Sequence, residues 1–303
     1  MNEIKNNILE KCKLCPHNCN VNRIKGEIGR CRAGAKLKVA LCSLHYFEEP
    51  CISGENGSGT IFFTGCNMSC KFCQNYKISQ NLIGKEIEIE ELANEFIKLQ
   101  EKNANNINLV TGVMYIPQII ETIKIARKKG LKIPIVYNSS GYESIESIKL
   151  LNGYIDIYLP DLKYYYEELG KRLSGISNYF ENATTAIKEM YNQVGNPVYD
   201  ENGLMKKGLL IRHLVLPNHI RNSKMILKWI KENINDQVPV SVMAQYFPTN
   251  KAMQEQDINR KLTQEEYQEI EQYVYELDLN GYMQDLENDE EKYVPDFDSN
   301  NKM

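Results

Sequence analysis

Six short apolar runs, each followed by a stretch of helical periodicity, set the narrowest limit on how this chain can fold. The runs cover residues 58–65, 107–112, 133–139, 155–160, 209–217 and 238–244. They are nearly continuous rather than alternating, as strands buried on both faces of a parallel sheet are. Helical patterns lie at 89–102, 117–129, 144–151, 179–193, 222–233 and 263–275. A capping box of Thr263 and Glu266 opens the last of them. Six β–α repeats in order predict a parallel α/β fold. Periodicity does not separate an open doubly wound sheet from a barrel or partial barrel, but in each of these ligands collect at the carboxyl ends of the strands. Residues 194–208, with their Asn202-Gly203 pair, are expected to form a loop or small hairpin. The acidic tail reads as a solvated end, or as a segment folded back over a site on Tyr293, Val294 and Phe297.

The cysteines are placed as unevenly as the strands are regularly. All nine (12, 15, 19, 31, 42, 51, 66, 70 and 73) precede residue 74 of a 303-residue chain. The first 40 residues are polar, charged and broken by glycine, unlike a secretion signal. No apolar run approaches the ~18–20 residues of a membrane span. The expectation is therefore a cytoplasmic protein with no membrane partner, in which clustered cysteines are metal thiolates rather than disulfides. A net charge of −4 supplies no basic field to recruit nucleic acid. Three regions follow: a cysteine-rich metal-binding module at 1–55, short on periodic structure, a β/α core at 56–284 and an acidic tail at 285–303.

Three of the cysteines lie in the loop that leaves the first run, within Thr64-Gly65-Cys66-Asn67-Met68-Ser69-Cys70-Lys71-Phe72-Cys73. Structural zinc and electron-transfer clusters normally take four protein ligands. Three ligands leave one iron open, which is what catalysis needs. The plainer alternative is a zinc site completed by Cys51 or His45. Spacing, the aromatic Phe72, the position after a first strand and the six β–α units together resemble the radical S-adenosylmethionine superfamily. That resemblance implies a partial (β/α)6 TIM-like barrel behind the cysteine-rich N-terminal module. It implies a 4Fe-4S cluster on Cys66, Cys70 and Cys73, with S-adenosyl-L-methionine chelated at the open iron. One electron would cleave the sulfonium to methionine and a 5′-deoxyadenosyl radical, which abstracts hydrogen from a substrate.

Segments 54–75, 156–163 and 211–217 are similar, more narrowly, to pyruvate formate-lyase activating enzymes, most of all to their PflX-type branch. This implies an electron donor such as flavodoxin or ferredoxin. A glycyl-radical enzyme is the first substrate candidate, and a small molecule or another protein residue the second. Cofactor contacts carry over unevenly. The second strand of the family ends in a Gly-Gly-Glu-like motif, replaced here by Thr111-Gly112-Val113-Met114, so the carboxylate is missing and Thr111 or backbone at Gly112 stands in. Asn138 and Ser140 occupy the third-strand position. Asp161 and Lys163 match the fourth as D-L-K: Lys163 for the cofactor carboxylate, Asp161 for a ribose hydroxyl or a cation, with a plain ion pair as the alternative. Arg212 and His213 on the fifth strand point opposite ways, and His213 is the one carried as a candidate.

Cys12, Cys15, Cys19 and Cys31 supply four further ligands for a second metal, zinc or iron–sulfur, whose identity the spacing does not give. Cys42 and Cys51 read as small buried hydrophobes. His45 and Glu48 lie beside the cluster mouth or in a packed linker. A rival from another class is a non-catalytic metalloprotein, either an electron carrier or a zinc-stabilised binding module. The missing second-strand glutamate favours that rival; the three-cysteine open site opposes it.

Overall fold

The computed structural model describes residues 8–286 and 295–297. Its frame is a set of parallel strands whose side chains are buried on both faces. Strands β2 (Ser58–Phe63), β4 (Ile107–Val110), β5 (Ile135–Ser139), β6 (Ile157–Pro160) and β10 (Val240–Met243) have no residue open to solvent, which is why their sequences run apolar without alternation. β2, β4, β5 and β6 pair in parallel in that order. β6 reaches β9 (Ile211–Leu214) through a parallel bridge between Asp161 and Arg212, and β9 pairs with β10, which pairs with β11 (Gly281–Met283). The helices α1 (Ile89–Glu101), α2 (Ile116–Lys128), α3 (Ile145–Leu150), α4 (Tyr179–Val194), α5 (Ile220–Asn233) and α6 (Gln264–Glu276) lie between or after these strands. The result is a partial (β/α)6 barrel. Thr263 and Glu266 close the expected capping box at α6.

Three features differ from the sequence expectation or sharpen it. First, a nine-residue strand, β1 (Leu37–His45), lies within residues 1–55 and pairs antiparallel with β2 and with the short β3 (Lys85–Ile87). Its solvent pattern alternates poorly, so period 2 does not reveal it. Second, the fifth run is shared by two strands. β8 (Met205–Leu209) follows β7 (Val198–Tyr199) in an antiparallel hairpin and pairs with the start of β6. The chain then steps at buried Leu210, whose N–H still bonds Tyr158, and Ile211 turns to Pro239. Asp200 turns the hairpin by accepting from the N–H groups of Asn202 and Leu204, both at 2.9 Å. Third, Phe297 of the tail is buried against Ala40, Phe62, Ile78 and Val110, edge-on to Phe62 at 5.5 Å. Tyr293 and Val294 lie outside the described residues. Among the described residues no helix is long and apolar enough to cross a membrane.

The phase of β9 decides which of two adjacent polar residues meets the barrel interior. Arg212 faces in and His213 faces away, completely buried between the strand and α5. His213 Nδ1 lies 2.7 Å from the Leu162 carbonyl, so it donates, and Nε2 accepts from Ser223 Oγ at 2.8 Å. His213 is therefore a packing residue and not a cofactor contact. Burial lowers its pKa to about 4. A depressed histidine gives stability that is complete above the unfolded pKa, near 6.5, and lost as pH falls through 4. The loss is about 3 kcal/mol. Urea unfolding at pH 7 and pH 4 should show that excess loss in the wild-type protein and not in His213→Gln. Parallel losses in the two proteins would show that His213 does not carry it.

Candidate active site

A cavity of about 520 Å³ opens at the carboxyl ends of the barrel strands, and Cys66, Cys70 and Cys73 line it together. Residues 64–75 leave β2 and are pinned from three sides. Thr64 Oγ1 donates to the Ile83 carbonyl at 2.8 Å. Gly65 N–H bonds Ile78, and the N–H groups of Ser69 and Lys71 bond Ser174 and Leu173. Each sulfur has a polar neighbour: Met68 N–H donates to Cys66 Sγ at 3.3 Å, Ser174 Oγ donates to Cys70 Sγ at 2.9 Å, and Ser79 Oγ lies 3.3 Å from Cys73 Sγ. All three cysteines are free. Burial raises the three thiols, Cys73 to about 11. A bound metal reverses that, because its charge holds coordinating sulfur as thiolate. Phe72 packs edge-on to Tyr246 and stiffens the loop. Cys51, a proposed zinc ligand, sits instead in a separate apolar cluster with Ile52 and Val136. Three soft donors on one cavity fit an iron–sulfur cluster with an open position.

The same cavity is lined by a buried charge network centred on Arg212. Its Nε donates to Asp161 at 2.8 Å, one terminal nitrogen to Glu48 at 3.0 Å and the other to Asn138 at 2.6 Å. Lys163 Nζ meets the second Asp161 oxygen at 2.5 Å. Asn108 donates to Glu48 at 3.0 Å. Burial pushes the Asp161 carboxyl up, but Arg212 and Lys163 outweigh it and hold the group below the usual carboxylate range. For Glu48 and its neighbour Glu49 burial wins, and both are raised. Tyr179 ties two strand ends together: its hydroxyl lies 2.9 Å from the Ser140 and Asp161 carbonyls and accepts from the Lys163 N–H.

Five of the seven expected cofactor contacts, Thr111, Asn138, Ser140, Asp161 and Lys163, line this cavity with the three cysteines. Thr111 holds φ at 59°, an uncommon conformation for a β-branched residue and one typical of functional sites. Gly112 does not line the cavity. It turns into the core, where an added methyl would meet Ile119 at 2.7 Å. His213 lies behind β9. The residues that sequence reasoning passed over or left undecided are Glu48, Glu49 and Arg212. Their signal is the tandem acid pair before Pro50, which brings carboxylates to a cavity whose second strand supplies none. Cys12, Cys15, Cys19 and Cys31 line a second, smaller cavity with Asn67.

Comparison with known proteins agrees with this geometry. The sequence profile of the radical SAM superfamily matches residues 60–206. A protein of Methanocaldococcus jannaschii, "Uncharacterized protein MJ0674", is 37% identical over 295 residues, covering 91% of this chain and 78% of that one. The pyruvate formate-lyase-activating enzyme of Clostridium pasteurianum is 22% identical over 240 residues, covering 75% of this chain and 93% of that enzyme. Among solved structures, HydG, a maturase of the FeFe-hydrogenase, superposes with a TM-score of 0.51 at 14% identity over 72% of this chain, which spans about half (49%) of that one. The HydG likeness is one of fold. The matched segment contains Cys66, Cys70 and Cys73, and the chain belongs to the radical SAM superfamily.

Proposed function

We propose that the protein cleaves S-adenosylmethionine reductively and passes the radical to a protein substrate, a glycine of a glycyl-radical enzyme. The observation that carries the chemistry is three free cysteines lining one large cavity together with polar and charged side chains. Likeness to the Clostridium pasteurianum activating enzyme over most of both chains supports the choice of substrate, as does the resemblance to the PflX-type branch. A small molecule is the alternative acceptor. The reductant would be flavodoxin or ferredoxin, in a cytoplasmic setting that keeps nine cysteines reduced.

Cys66, Cys70 and Cys73 would hold a 4Fe-4S cluster, which would supply the electron for cleavage of S-adenosylmethionine. The chain's own residues do the rest. Lys163 has three donors, of which Asp161 takes one, so the ammonium can also meet a carboxylate. Asn138, Ser140 and Thr111 offer hydrogen bonds to hydroxyl and amino groups. Glu48 and Asp161 keep Arg212 fixed, so the wall keeps its shape as ligands enter and leave. Glu48 and Glu49 bring carboxyl groups to the cavity that the second strand lacks, which weighs against the electron-carrier reading.

The direct test is anaerobic reconstitution with iron and sulfide, addition of dithionite and S-adenosylmethionine, and quantification of 5′-deoxyadenosine. The wild-type protein should form it, and Cys70→Ala should fall to the protein-free background. A fully loaded wild-type cluster that forms none in the presence of candidate partners would overturn the enzyme reading.

Arg212 gives a second prediction. Removing one member of a buried charge network leaves the others uncompensated, so Arg212→Leu should cost about 3–5 kcal/mol in denaturant unfolding. A cost below about 1 kcal/mol, the level of an exposed pair, would show that the network is not the brace described.

A further inference from the structure

Residues 11–36 contain no helix and no strand, yet they hold a defined path. Part of the reason is Arg23, 2% exposed, which donates to the Met114 carbonyl at 2.6 Å and to Gly34 O. The rest of the segment is organised around sulfur. Cys12, Cys15, Cys19 and Cys31 line one cavity of about 20 Å³, shared with Asn67 and Met114. None of the four is in a disulfide. The Cys19 sulfur accepts from the Arg30 N–H at 3.5 Å, and burial raises the thiols of Cys15 and Cys31. Gly29 leaves the space that Cys19 fills, since an added methyl would stand 2.9 Å from its sulfur.

We propose that these four cysteines bind a thiophilic metal as a tetrathiolate, and that this second centre fixes the backbone from which Cys66 reaches the radical-site cluster. The cavity has the room of one small ion, which suits a single zinc or iron; an iron–sulfur cluster requires it to widen. As the side chains stand, no three of the described Cys, His, Asp and Glu residues sit close enough to share one ion, the radical-site cysteines included. Ligation at either set therefore turns thiols inward.

The link to the active site is short and built from backbone. The Cys31 carbonyl lies against Gly65, where φ is +93° and an added methyl would approach to 2.8 Å. His17 Nε2 donates to the Asn67 carbonyl at 2.7 Å. Asn67 itself lines the four-cysteine cavity, and its side chain donates to the Tyr142 carbonyl at 2.5 Å. Cys66 lies between two residues that the second centre touches. The clamp rests on Cys66, Cys70 and Cys73 holding the cluster; the second centre does not.

The experiment separates the two parts. In the full chain carrying Cys66→Ala, Cys70→Ala and Cys73→Ala, metal analysis should find retained metal: about one equivalent of zinc or iron, or several of iron if sulfide accompanies it. Zinc, iron without sulfide, and iron with acid-labile sulfide would identify the three forms of the centre, and each supports it. Adding Cys15→Ser and Cys31→Ser should remove that metal. Cobalt(II) added to the metal-stripped triple variant should give a thiolate-to-cobalt charge-transfer absorption, a readout that does not depend on those serine variants folding. No retained metal together with no such band would overturn the second centre. With Cys66, Cys70 and Cys73 intact, Cys15→Ser with Cys31→Ser should speed the loss of 4Fe-4S absorbance under a chelator. An unchanged rate would overturn the clamp.

Discussion

Arg212 is where four separate parts of the chain meet. It stands on β9, bridges to Asp161 at the end of β6, reaches Asn138 at the end of β5, and holds Glu48 on the segment after β1. A guanidinium can do this because its five donors are fixed in a plane. A buried cation of this kind is costly alone and tolerable only when its donors are matched. The network therefore works as a condition on the fold: the barrel wall closes with these strand ends in register, or it leaves charge stranded in its interior.

The three sulfurs of the same cavity obey a related constraint with the opposite remedy. Burial raises every one of these thiols, and the neighbouring hydroxyl and amide groups only moderate the effect. The protein supplies one balancing cation, Lys163, among the influences on all three. A metal-bearing cofactor supplies the rest. The two sides of the cavity thus differ in kind: one is satisfied by the chain's own charges, the other by what it binds. That division leaves a stiff wall facing a site able to exchange ligands.

Much of this was legible in the sequence because the signals were local. The continuous apolar runs gave the parallel strands, and the spacing of Cys66, Cys70 and Cys73 gave the loop and its chemistry. What escaped depended on phase or on long-range pairing. Arg212 and His213 are adjacent, and only the setting of β9 decides which one meets the cavity. β1 is a strand of mixed burial, so its pattern resembles linker until β2 and β3 are beside it. Glu48 joins Arg212 across 164 residues, a distance no motif spans. Gly112 failed as a contact because α2 packs against it, closing the space a ligand would need.

The central claim, that three cysteines hold a cluster with one iron open to S-adenosylmethionine, is tested most directly by electron paramagnetic resonance of the reduced protein. The spectrum of the reduced cluster should change when S-adenosylmethionine is added, because the cofactor becomes a ligand of the open iron. A reduced cluster whose spectrum is indifferent to saturating S-adenosylmethionine would contradict the claim, and would show a centre built to carry electrons rather than to spend them on this cofactor.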